Sequence, residues 1–118
     1  MHSKEIKENE KRFFDFVNQG DMKAVEKWID EFVAEDFVNH SPLLNEPTDR
    51  EGLKEMVRML IQSAPCGTIS IEEMVFENPF LCLRYMIRGL STKDETLGMA
   101  MVKFKDGKIA ERWNVAEV

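Results

Sequence analysis

The stretch Thr96-Leu97-Gly98-Met99-Ala100-Met101-Val102-Lys103-Phe104-Lys105-Asp106-Gly107-Lys108-Ile109-Ala110-Glu111-Arg112-Trp113-Asn114-Val115 decides how this chain folds. Two alternating apolar and polar runs flank Asp106-Gly107, a dipeptide suited to a type I′ turn, which needs positive φ at both central residues. A tight antiparallel hairpin is predicted. Its second arm ends in Glu111-Arg112-Trp113-Asn114, where hydrogen-bonding groups stand beside an indole, a composition that suits a pocket wall.

Working outward, the whole segment from Thr68 onward reads as strand. Thr68–Glu77, Phe80–Leu90, Leu97–Lys105 and Lys108–Val115 are four β segments, joined by Asn78-Pro79, Ser91–Thr96 and Asp106-Gly107. Connections this short imply antiparallel neighbours. Upstream the period changes from two to that of a helix. Residues 4–18 form a first helix, with Ile6, Phe13 and Val17 near one stripe, broken by Asn18-Gln19-Gly20. Asp21 is a natural N-cap for a second helix reaching about Ala34, in which Val25, Trp28, Ile29, Phe32 and Val33 recur at helical spacing. Asp36 to Pro47, with two prolines and two asparagines, reads as an irregular connector. Thr48 and Glu51 match a capping box for a third helix, which runs to Ser63 on Leu53, Met56, Val57, Leu60 and Ile61 and is closed by Pro65-Cys66-Gly67. Helices first and a meander second imply an α+β domain with its helices on one face of the sheet.

The 118 residues suffice for one domain, taken as 1–118, with a core that needs neither disulfides nor metal. Sixteen basic against 22 acidic residues leave a net charge of −6, which argues against nucleic acid or an anionic membrane as partner. Lys4, Lys7, Lys11 and Arg12 alternate with acids along one helix and read as a solvated face. Cys66 and Cys82 show no metal-ligand or C-x-x-C spacing and read as small buried residues. No secretion signal and no membrane-spanning run is apparent, so a cytoplasmic protein is expected.

The hairpin, taken with Asp36-Phe37-Val38-Asn39-His40-Ser41-Pro42, resembles the SnoaL-like polyketide cyclases of the nuclear-transport-factor-2-like superfamily. There a stretch close to D-F/Y-V-x-H-N/S-P follows the N-terminal helices, and the last strand reads close to D-G-K-I-x-E-H-W-D. The resemblance implies a cone-shaped barrel: three N-terminal helices packed into a strongly bent, mainly antiparallel sheet, with a blind cavity between them. It also implies a homodimer through the sheet.

His40 is the first candidate catalytic residue, because imidazole exchanges protons near neutral pH and the other histidine, His2, lies at the terminus. The resemblance sets it at the cavity border; the alternative is a histidine that fixes a turn through a backbone carbonyl. Asn114 is the second. The resemblance matches it to an aspartate that acts as acid/base in an intramolecular aldol closure, and an amide cannot take that proton. Arg112 stands where the family has histidine, and is a candidate electrostatic stabiliser. The resemblance places Asp36 at a helix end, where it would act as a cap, and Glu111 alternates to the face opposite Asn114. Arg84 and Arg88 alternate outward, although an inward Arg84 beside Arg112 would make a cationic cavity. Trp28, Trp113, Met99 and Met101, with Arg84, are the expected pocket residues.

No phosphate loop, nucleophile elbow, metal-ligand set or cofactor fingerprint is present, so neither metal nor cofactor is expected. Three functions compete. One is a cyclase or isomerase acting on a small hydrophobic carbonyl compound. The second is a non-catalytic ligand-binding or dimeric module that has lost the carboxylate at Asn114. The third is a domain whose cavity is plugged by its own side chains.

Overall fold

The computed structural model describes residues 2–40, 46–64, 67–90 and 93–116. Helices α1 (Ser3–Asn18) and α2 (Met22–Phe32) are followed by strand β1 (Val33–His40) and helix α3 (Arg50–Ser63). Strands β2 (Thr68–Glu77), β3 (Phe80–Leu90), β4 (Lys93–Lys105) and β5 (Lys108–Ala116) complete the chain. The five strands form one curved, unclosed sheet in the order β1-β5-β4-β3-β2, so the fold is an α+β cone.

The meander follows the sequence pattern closely. Leu81, Leu83, Tyr85 and Ile87 of β3 are buried and pair with Val102, Ala100, Gly98 and Thr96 of β4, giving one continuous inner face. Asp106 and Gly107 both have positive φ, as a type I′ turn requires. Helices α1, α2 and α3 close this face with Phe13, Phe14, Val25, Ile29, Leu53 and Val57. At the end of α1 the Asn18 amide bridges to β2, donating to the Ile69 carbonyl at 2.9 Å and accepting from its N–H at 2.7 Å. The residue that ends the helix thus also anchors the edge of the sheet.

Two expectations are corrected. Residues 33–40 are a fifth strand, where the end of the second helix and the start of a connector at Asp36 were expected, and pair in parallel with β5. A register irregularity between Val33 and Val38 interrupts the alternation that marks a strand, and both prolines lie beyond His40. Asp36 is therefore an exposed strand residue and not a helix cap. Asp49, not Thr48, caps α3, accepting from Gly52 N–H at 2.9 Å, and the Thr48 backbone bridges to Asn39 instead. Asp21 does cap α2, accepting from Ala24 N–H at 3.1 Å. Among the described residues no helix is long and apolar enough to cross a membrane. Cys66, the Ser41-Pro42 end of the second motif and the first residues of the Ser91–Thr96 connection lie outside the described residues.

Candidate functional site

Strand alternation and register sort the candidate residues onto two faces. Arg112 pairs with Val102 and Asn39, and Asn114 with Ala100. All three partners are buried beneath the helices, so both side chains point into the cone. Trp113 pairs instead with Met101 and with His40, which places these three on the outer face.

His40 and Asn114 therefore do not share a pocket. The His40 ring stacks on Trp113 with centroids 5.4 Å apart and planes 7° apart, and its Nε2 lies 2.7 Å from Glu111 Oε2. That Glu111 faces away from Asn114 is as its sequence position predicts. Met99 and Met101 do share a face, but the outer one, where they are 52% and 36% exposed. Arg84 lies there too, its Nη2 2.6 Å from Glu73 Oε1. Cys82 is only half-buried, on the same face opposite Met101. Of the expected pocket residues only Trp28 lies inside. The faces of β1 are unreadable from sequence until its parallel register with β5 is known.

The interior holds a polar line the sequence only partly announces. Tyr85 OH donates to Asn114 Oδ1 at 2.5 Å, so the amide is engaged by the protein itself. Burial raises the Tyr85 phenol above its ordinary value, against the opposing pull of Arg112 and the Asn114 bond. Arg112 Nη1 stands 3.8 Å from Oε1 of Glu10, a carboxyl on α1 that is 2% exposed. Burial pushes Glu10 above the ordinary carboxylate range, and Arg112 offsets this only in part. Glu10 was missed because α1 looks like a solvated charged helix. Its signal lay in the spacing: Ile6, Glu10, Phe13, Phe14 and Val17 form one buried stripe, with a carboxyl where an apolar residue belongs.

A cleft of about 110 Å³ opens between the start of α1, the end of α2 and the β4–β5 hairpin. Ile6, Phe32, Phe104 and Ile109 wall it, and Glu10 and Trp28 reach into it. Glu10 Oε1, Trp28 Nε1 and Asn39 Oδ1 are buried without a hydrogen-bond partner among the described residues. Such atoms are rare in folded proteins. Among the described residues, no three His, Cys, Asp or Glu side chains converge as a metal site.

Comparison with known proteins agrees with this architecture. No curated protein matches the chain in sequence. Among solved structures, wild-type IdmH from Streptomyces antibioticus, a candidate polyketide cyclase, superposes with a TM-score of 0.78 at 21% identity, over 94% of this chain and 91% of that one. A candidate polyketide cyclase from Bacillus cereus gives 0.76 at 25% identity, over 92% and 72%. A candidate isomerase of the SnoaL-like family from Agrobacterium tumefaciens gives 0.77 at 14% identity, over 93% and 95%. The model of the SnoaL-like domain matches residues 11–112, nearly the full length, and the chain belongs to that family.

Proposed function

We propose that the protein binds a small, largely apolar carbonyl compound between its helices and the inner face of its sheet, and acts on it by proton transfer, as a cyclase or isomerase. The observation that carries this reading is the cleft itself, lined by Ile6, Phe32, Phe104 and Ile109 and by two residues, Glu10 and Trp28, that each bury a polar atom without a partner among the described residues. The cyclase and isomerase descriptions of its structural neighbours support the reaction class. Side chains alone supply the chemistry, without metal or organic cofactor. A cytoplasmic setting belongs to the same reading.

The cleft's volume restricts the ligand. A cleft of about 110 Å³ suits a compact ligand head rather than a whole polycycle. In a Trp113→Phe background, where Trp28 is the sole indole, small cyclic ketones are expected to change the emission saturably. Ile6→Phe, which fills the cleft, is expected to abolish the change. Absence of any saturable change at millimolar ketone rejects the reading.

A second reading, a ligand-binding module without catalysis, is favoured by Asn114. Its amide cannot accept a proton, and its oxygen is already held by Tyr85.

We also propose that the outer face pairs with a second copy of the chain. Val75, Met99 and Val115 are 67%, 52% and 59% exposed, and Met101 lies beside them. The Arg84–Glu73 and His40–Glu111 pairs lie on the same face. A contiguous apolar set of this kind is ordinarily covered. Sedimentation is expected to give a dimer at micromolar concentration, and Met99→Glu with Val115→Glu a monomer. A monomeric wild-type protein rejects this pairing.

A further inference from the structure

We infer that Glu10 is the proton-transfer residue of this interior, with the Trp28 indole N–H holding the ligand oxygen beside it, an assignment resting on the carbonyl chemistry proposed above. The two groups are complementary. Glu10 Oε1 is an acceptor and Trp28 Nε1–H a donor; both are buried without partners among the described residues, and both belong to residues that line the same cleft. A carbonyl compound satisfies both at once. Its oxygen accepts from the indole, and the adjacent C–H, acidified by the carbonyl, meets the carboxylate.

The proton balance is closed. The C–H bond breaks, its proton forms an O–H bond on Glu10, and the electron pair moves into a C=C bond as the carbonyl becomes an enolate. The enolate oxygen is held by the indole N–H. When the O–H on Glu10 exchanges with solvent before a proton returns to the same carbon, the result is hydrogen exchange, and return further along a conjugated chain moves a double bond. No oxidant or reductant is required.

The surroundings suit the task. Burial raises the carboxyl above the ordinary carboxylate range, which makes its ionised form a stronger base than a surface carboxylate, while Arg112 at 3.8 Å supports that form. Arg112 is too distant to occupy Oε1 with a hydrogen bond, so the acceptor stays open to ligand. The neutral amide at Asn114 also gains a purpose. An aspartate there, two residues from Arg112 on the same face, would compete with Glu10 for its charge. The titratable groups that line the cleft with Glu10 are Glu5 of its own helix and His2 at that helix's N-cap, Arg112 of β5 stands 3.8 Å from Glu10, and α2 and the hairpin line the cleft with uncharged residues.

The test uses cyclopentanone in D₂O, with exchange of its α-protons followed by NMR and its binding by Trp28 fluorescence. Wild-type protein is expected to catalyse exchange, with a rate that rises with pH as Glu10 ionises. Glu10→Gln is expected to bind the ketone but to lose at least ~100-fold in catalysed exchange and to lose the pH dependence. Trp28→Phe, an independent variant in case Glu10→Gln misfolds, is expected to lose ~100-fold with the pH profile kept. Undiminished exchange in Glu10→Gln overturns the assignment and leaves the proposed function standing. Binding without exchange in the wild type overturns it in favour of the ligand-binding module. Absence of binding removes both.

Discussion

Phe37→Ala is expected to lower the free energy of unfolding by about 3–5 kcal/mol, the usual cost of deleting a buried phenylalanine. Phe37 is fully buried in β1, two residues before Asn39 on the inner face, and belongs to the single core beneath the helices. Its loss would leave a void that neighbours fixed in β5 and α3 cannot readily fill. Urea denaturation of Phe37→Ala beside Val38→Ala makes the comparison, since Val38 is only half-buried on the opposite face. A flexible connector would tolerate both changes equally. A difference below about 1 kcal/mol between them would mean that β1 is not packed as described.

Gly98→Val is expected to cost about 3 kcal/mol, from overpacking and the loss of one hydrogen bond. Gly98 lies opposite Tyr85 across the β3–β4 ladder, and any Cβ at this position would overlap the tyrosine ring. The ring occupies the space a Cβ would take at the glycine, and its hydroxyl reaches Asn114. A side chain here must displace the ring, break the Tyr85–Asn114 bond and free the amide. Near-UV circular dichroism should register the tyrosine's changed surroundings. Gly98→Ala is expected to act in the same direction with smaller effect. An unchanged midpoint for Gly98→Val would mean that the ring does not occupy this place.

The elements legible in the sequence are those whose periodicity is uninterrupted. Asp106-Gly107 and its flanking alternation gave the hairpin, and the stripes of α2 and α3 gave the helices. Strand β1 escaped because its alternation is broken between Val33 and Val38, and because a parallel partner far along the chain leaves no local turn signal. The site suffered more. Alternation inside β5 correctly separates Glu111 from Asn114, yet nothing local fixes the face of His40, which depends on whether it meets Trp113 or its neighbour. Met99 and Met101 were rightly placed together, but which face of β4 meets the helices depends on the three-dimensional packing. Glu10 was visible as a charge among apolar positions and was hidden by the ordinary charges around it.

The strand order has a consequence for synthesis. β5 lies between β1 and β4, so the first strand made has no described neighbour in the sheet until the last one leaves the ribosome. Val33 waits for Ile109, and His40 for Trp113. A nascent chain stopped before Lys108 therefore carries helices and a β2–β3–β4 meander with an unpaired β4 edge, and a β1 without its strand partner in the sheet. Open edges of this kind invite pairing between chains. Completion of the C-terminal strand thus commits the cone to a single fold, and chains shortened at this end are expected to aggregate rather than to fold as smaller versions of the same domain.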